Sequence, residues 1–325
     1  MHITTSKTKR ILFAPLLKTV EWLTPRCPAF VAKARYFARF KKRLNLKNPK
    51  DLNEKILWLA IYSDTREWSR LADKYAVREY VKECGLEDIL VPFYGVWNNV
   101  NEVDYASLPQ SFIIKLTNWS ASNIIVKDKT AISEQELLSR IEEAVKNKGR
   151  CTGVGDLHYL RIHTRIMAEG LIFNDEWSER YSKSLIDYKI WCFDGKAKYI
   201  MLVMNRSVKT KDGAELLVYD RAWNPHPEFI NPTSDFTIAD AIPMPKNYEQ
   251  MISMAERLAG TFPVVRVDLY NLNGRIYFGE MTFTSLGGMM DYYTPQFLEL
   301  CGDCIHLDHI STEHRWTANQ KIKES

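Results

Sequence analysis

Apolar residues recur at helical spacing in two stretches near the start of the chain. Leu52, Ile56, Leu57, Leu59 and Ala60 mark one, and Leu71, Tyr75, Val77, Tyr80 and Val81 mark the next before Gly85 ends the pattern, so residues 51–84 are predicted helical. Upstream, residues 7–46 read as two helical stretches broken by Pro25 and Pro28. Short apolar runs at 90–94, 112–116 and 124–127 predict strands. Residues 133–147 are an amphipathic helix, with Ser133 as N-cap and Glu136 three residues on.

From about residue 164 strand patterns dominate. Strands are predicted over 164–168, 186–193 and 196–204, the last two joined by the hairpin signal Asp194-Gly195. A helix over 247–259 precedes a second hairpin, 264–270 and 275–281, around Asn271-Leu-Asn-Gly274, and short helices close the chain. This order predicts an α+β fold with antiparallel sheets. The chain shows no Gly/Ser-rich linker and no repeat of solenoid period.

Composition narrows the class. A chain of 325 residues, 46% hydrophobic and 26% charged, has room for two packed domains and is too apolar for disorder. The net charge of +4 conceals an asymmetry: residues 1–47 carry 12 Lys/Arg and one acid, Glu21, whereas the rest is mildly acidic. Such an arm, with Trp22, Phe30, Tyr36, Phe37 and Phe40 interleaved, suits an anionic membrane surface; the alternative is a solvated face or an arm folded on the acidic body. Nucleic acid is disfavoured, because the body is acidic and the aromatics form no RNA-binding motif. No apolar run reaches the roughly 18–20 residues of a spanning helix, and no cleavage site follows the apolar stretch at 11–17, so the expected location is cytoplasmic, peripheral on the inner face of the membrane if the arm binds there. Six scattered cysteines read as free thiols. Cys301-Gly-Asp-Cys304, with His306 and His309, has ligand-like spacing but no second pair, which favours packing of a terminal helix over metal or redox use.

The candidate chemistry sits in the last hairpin. Alternation puts Arg266, Asp268 and Tyr270 on one face of their strand, and Glu280, Thr282 and Phe278 on one face of the partner. An odd-residue loop would pair Asn271 with Arg275, Asp268 with Phe278 and Arg266 with Glu280, bringing two carboxylates together as Mg²⁺ ligands or, alternatively, as part of a surface ion cluster. Lys115, in an otherwise apolar strand before the hydroxyl-bearing loop Thr117-Asn-Trp-Ser-Ala-Ser122, and Lys189 in Asp187-Tyr-Lys189 suggest an anion site; each alone is equally a lysine snorkelling from a sheet edge.

Together with Leu46-Lys-Asn-Pro-Lys-Asp-Leu-Asn-Glu-Lys55, Leu71-Ala-Asp-Lys-Tyr-Ala-Val-Arg78, Asn123-Ile-Ile-Val126 and Tyr219-Asp-Arg221, these residues resemble ATP-grasp proteins of the teichuronopeptide-biosynthesis (TupA-like) branch over roughly residues 44–300. The resemblance implies two α+β lobes whose antiparallel sheets grip ATP. Its divisions here are a basic helical arm (1–47), a helical α+β region (48–110), a small lobe (111–172), a large lobe with the metal site (173–310) and a tail (311–325). It implies that Lys74, Lys115 and Lys189 meet phosphates with help from Ser120 and Ser122, and that Glu169 to Ile172, with Leu171, form a hinge beside adenine. It further implies that Asp268, Glu280 and Thr282 hold Mg²⁺, that Arg266 stabilises the transferring phosphoryl group and that Arg221 is a second cation from a mobile loop. Two positions depart from relatives: the loop 118–122 lacks their glycines, and Thr282 stands where many carry Asn. The implied activity is an ADP-forming carboxylate–amine ligase working through an acyl phosphate in surface polysaccharide assembly. Its carboxylate would be a uronic or amino acid and its amine an amino acid or amino sugar. The alternatives are a phosphotransferase, a glycosyltransferase and a module with a decayed ATP site.

Overall fold

The computed structural model describes residues 17–119, 123–148, 153–206 and 213–316. Two antiparallel sheets organise it. The smaller has strands β1 (Phe93–Trp97), β2 (Phe112–Leu116), β3 (Ile124–Val126) and β4 (Ile166–Glu169) in the order β1-β4-β2-β3. The helix Glu134–Lys146, capped by Ser133 as predicted, lays Leu137 and Ile141 on Phe112, Ile114 and Leu116. Alternation along β2 therefore turns Ile113 and Lys115 to the other face. Because β1 pairs with β4, this sheet recruits a strand from before residue 111, and the strand expected at 90–94 lies at Phe93–Trp97.

The larger sheet contains β5 (Asp187–Phe193), β6 (Lys196–Met204), β7 (Glu215–Asp220), β8 (Pro225–His226), β10 (Val264–Leu272) and β11 (Arg275–Thr282) in the order β11-β10-β5-β6-β7-β8, with β9 (Thr237–Ile238) parallel to β7. On one face Met251, Ile252, Ala255 and Leu258 of the helix Tyr248–Ala259 form a core with Ile190, Val265, Val267 and Leu269. Asp187, Lys189, Arg266 and Asp268 occupy the opposite face, as the period-two pattern requires.

The hairpin register differs from expectation. Leu272 pairs with Arg275, so Asn273-Gly274 is a two-residue turn with both residues at positive φ. A bulge on β11 then shifts the pairing, leaving Leu269 opposite Phe278, Asp268 opposite Glu280 and Arg266 opposite Thr282. Phe278 thus belongs with Leu269 and the core, and Glu280 with Asp268, rather than the two sharing a face. The extra residue is Gly279, where a Cβ would stand 2.9 Å from the Asp268 carbonyl oxygen.

The amino-terminal helices join the large lobe through the motif at 46–55. Asp51 caps the helix Leu52–Tyr62, accepting from Glu54 N–H at 2.9 Å, and the buried Glu54 carboxylate accepts from the backbone of Asn45 and Lys50. The buried Asn53 amide oxygen accepts from Met290 N–H at 2.9 Å, and Lys55 Nζ donates to the carbonyls of Gly302 and Ile305, both at 2.8 Å, capping the helix Pro295–Asp303. Cys301 packs in the core of that helix's contact with the body, and all described cysteines are free thiols. Further upstream, residues 17–23 are helical and Pro28 opens the helix Pro28–Phe40 at its first turn, where a missing N–H costs nothing. Among the described residues no helix is long and apolar enough to cross a membrane.

Removal of the Asn53 side chain leaves Met290 N–H buried without its acceptor. Asn53→Ala is expected to lower unfolding stability by about 1–3 kcal/mol, against less than about 0.5 kcal/mol for exposed Lys47→Ala. Urea denaturation compares them, and equal midpoints would remove Asn53 from the clamp.

Candidate functional site

The open face of the larger sheet holds a desolvated ion cluster. Arg266 donates to both oxygens of Asp268, from Nε at 2.7 Å and Nη2 at 2.8 Å, while Lys189 Nζ pairs with Asp268 Oδ2 and lies 3.7 Å from Asp187. Arg206 reaches Asp187 at 2.8 Å from the exposed side. Arg266 also donates to Ser285 Oγ at 2.5 Å and Thr282 Oγ1 at 3.1 Å, and its Nη2 lies 3.4 Å from Glu280 Oε1. The Thr282 hydroxyl donates to Glu280 at 3.1 Å. Burial alone would raise the pKa of Asp268, but Arg266 and Lys189 outweigh it and hold the carboxyl below its ordinary value. Burial likewise opposes the Arg266 charge, and Asp268 more than compensates, so the guanidinium stays protonated.

The smaller sheet presents a second group across a narrow opening. Lys115 Nζ on β2 pairs with Glu169 at the end of β4, and Arg78 lies 3.5 Å from the other Glu169 oxygen. Lys74 comes from the segment before Arg78 and donates to the Trp119 carbonyl at 3.1 Å. Lys74, Arg78, Val91, Lys115 and Glu169 line the opening together with Phe278 and Gly279 of β11, so both sheets contribute walls. Burial lowers the pKa of Lys74, Glu280 opposes that from the facing lobe, and Lys115 adds to the lowering. Lys74, Lys115 and Glu280 of the facing sheet therefore share one electrostatic neighbourhood.

Beside the ion cluster lies the 3₁₀ segment Val154–Arg161, which the sequence pattern did not signal. It packs against Ser285–Gly288, where Leu286, Gly287 and Gly288 all have positive φ. Gly155 leaves no room for a Cβ, which would sit 2.5 Å from the Gly287 carbonyl, and Thr284 Oγ1 donates to the Gly155 carbonyl at 2.8 Å. Tyr159 lies near Glu280 and Asp156, and burial followed by those charges raises its pKa.

The structure thus gathers Arg266, Asp268, Glu280, Thr282 and Lys189 on one wall, and Lys74, Lys115 and Glu169 on the other. Leu171 is half-buried just beyond β4, after Gly170 N–H bonds the Pro92 carbonyl at 2.8 Å. Ser120 and Ser122 lie outside the described residues. Arg221 is not brought in: it forks onto Glu249 at 2.9 and 2.5 Å and stacks on Tyr248, beyond the end of β7. Sequence pattern alone gives no role to Arg78, Asp187 or Ser285, although the first two sit in the motifs at 71–78 and 187–189 and the Gly287-Gly288 turn follows Ser285.

The chain belongs to the TupA-like ATP-grasp family, whose model matches residues 54–306. No curated protein matches it by sequence. Among solved structures it is similar to D-alanine–D-alanine ligase from Bacillus anthracis, at 15% identity and a TM-score of 0.44 over 74% of this chain and 65% of that one. It is also similar to the Helicobacter pylori D-alanine–D-alanine ligase, at 14% identity and a TM-score of 0.43 over 78% and 69%. The chain therefore spans about two thirds of the length of these ligases.

Two groups of the segment Val154–Arg161 contribute to stability with opposite dependence on pH. Burial, helped by Arg161, lowers His158 to about 3, so the fold loses stability as pH falls from about 6.5 towards 3. Burial raises Asp156 to about 6 despite Arg35; its contribution is complete below about 4 and disappears as pH rises through 6. Between pH 6 and 4 the effects oppose, each by at most about 1.4 kcal/mol per unit. Relative to the parent chain, Asp156→Asn should destabilise more steeply on acidification over that range and His158→Phe less steeply. Parallel curves in a pH series of denaturation midpoints would refute this.

Proposed function

We propose that this protein is an ATP- and Mg²⁺-dependent carboxylate–amine ligase that works through an acyl phosphate. The observation that supports it most is the direct pairing of Asp268 with Glu280 beside Arg266, on the hairpin whose Phe278 and Gly279 line the opening with Lys74 and Lys115. Two carboxylates and the Thr282 hydroxyl are hard oxygen donors that fit Mg²⁺ with phosphates and water completing its shell. Lys189 and Arg266 now satisfy the Asp268 oxygens, so the carboxylate is already charged and oriented, and Lys189 has to yield one of them. Bound there, Mg²⁺ would supply charge neutralisation along the polyphosphate.

The remaining work falls to the protein's side chains. Lys115 from the smaller sheet and Lys74 from the segment before Arg78 meet phosphate oxygens, and Glu169, itself paired with Arg78, holds Lys115 in place until they do. Arg266, fixed by Asp268 and Ser285, keeps its fork aimed along the sheet face, where charge builds up on the transferring phosphoryl group as the substrate carboxylate attacks. The amine then displaces phosphate from the acyl carbon, and the lobes exclude water that would compete with it. No protein nucleophile takes part. A uronic or acidic amino-acid carboxylate and an amino-acid or amino-sugar amine, in surface polysaccharide assembly, are the substrates we assign to this site.

Release of ADP is expected to need both a carboxylate and an amine. With ¹⁸O-carboxylate, one label should pass to the released phosphate. Arg266→Lys should reduce turnover by about 10²–10³ while affecting ATP affinity far less. Unlabelled phosphate, or product formed from a nucleotide sugar without ATP, would overturn the ligase reading.

A further inference from the structure

The helix Pro28–Phe40 buries Val31, Ala32 and Tyr36 against the body and turns a different stripe outward. At 100° per residue, Phe30, Lys33, Ala34 and Phe37 line that stripe, Lys41 follows at the helix end, and all are exposed, with 67% of Phe30 and 55% of Phe37 accessible. Just upstream Trp22 is 57% exposed, with the Arg26 guanidinium 4.3 Å above its ring. Lys42 and Arg43 extend the exposed positive charge, and Glu21 is the one acid in residues 1–47. Large rings beside ammonium groups on a face that no other element covers among the described residues match a bilayer interface, where rings enter the acyl boundary and lysines meet anionic headgroups. A second copy of the chain fits poorly, because pairing two such faces would oppose like charges.

The inner side of the same helix leads to the candidate site. Arg39 pairs with Asp291, and the Arg35 guanidinium carbon lies 3.8 Å from where a Gly153 Cβ would stand, beside Asp156. Those contacts join it to the 3₁₀ segment Val154–Arg161 and to the loop whose Ser285 holds Arg266. We infer that Phe30, Phe37, Lys33 and Lys41 dock the protein on an anionic bilayer. Resting on the ligase reading, this makes the acceptor an amphiphile held in that bilayer, its polar head reaching the cleft along this helix.

Co-sedimentation of the full chain with vesicles of equal parts phosphatidylglycerol and phosphatidylcholine tests docking without ATP. The protein should partition strongly at low salt, weakly at high salt and little onto pure phosphatidylcholine. Phe30→Ser with Phe37→Ser, and separately Lys33→Gln with Lys41→Gln, should each lower the partition coefficient by about tenfold or more. Both pairs are exposed, so unchanged thermal unfolding is expected. Equal partition of parent and variants, indifference to salt, or a parent dimer that the Phe30→Ser/Phe37→Ser variant loses without vesicles would overturn the assignment. Turnover with water-soluble carboxylates and amines, measured without vesicles, reports on the ligase reading alone, so the two fail separately.

Discussion

Everything at the site depends on keeping two cations and two carboxylates charged on a sheet face that water scarcely reaches. Arg266, Asp268, Lys189 and Asp187 are each no more than 7% exposed. Isolated, any of them would be neutral or would unfold the strand; together each neutralises another. The fork of Arg266 matters most, since it satisfies both Asp268 oxygens and still reaches Ser285 and Thr282. Replacing these residues with apolar ones of similar volume could yield a sound sheet, so stability alone does not account for them. In the ligase proposed above, the cluster is oriented charge kept for a polyanion.

Much of the scaffold was legible because its signals are local. The hairpin at Asp194-Gly195, the strand Lys196–Met204 and the capped helix Glu134–Lys146 follow from turn chemistry, alternation and an N-cap, each contained within a dozen residues. The convergence of Asp268 with Glu280 was legible too, but its route was not. A regular ladder puts Phe278 and Glu280 on the same face, and only the extra residue at Gly279 separates them; alternation counts cannot register a bulge. Arg221 illustrates another limit, since the resemblance offers it as a second cation from a mobile loop, whereas Glu249, 28 residues later, takes both arms of its fork.

The motif at 46–55 shows how a resemblance carried by sequence need not mark chemistry. Asp51, Asn53, Glu54 and Lys55 are polar and closely spaced, as catalytic groups often are. Each instead satisfies a backbone group, at a helix start, a tight loop, a distant N–H or a helix end. Their effect on the site is indirect, since they seat the segment that runs from Ser285 to Ile305.

That clamp has a consequence for how the chain acquires its structure. Asn53 and Lys55 meet partners 237 to 250 residues further along. During synthesis the helix Leu52–Tyr62 emerges early, with an apolar surface shared between the 3₁₀ segment Val154–Arg161 and the helix Pro295–Asp303, so its cover is complete only once the latter has been made. The smaller sheet closes over a much shorter span, residues 93–169, and is free to form first. Assembly of the large lobe is accordingly a late, long-loop event, slow in proportion to the separation it must close, and the first helices spend that interval as the part of the nascent protein most in need of protection.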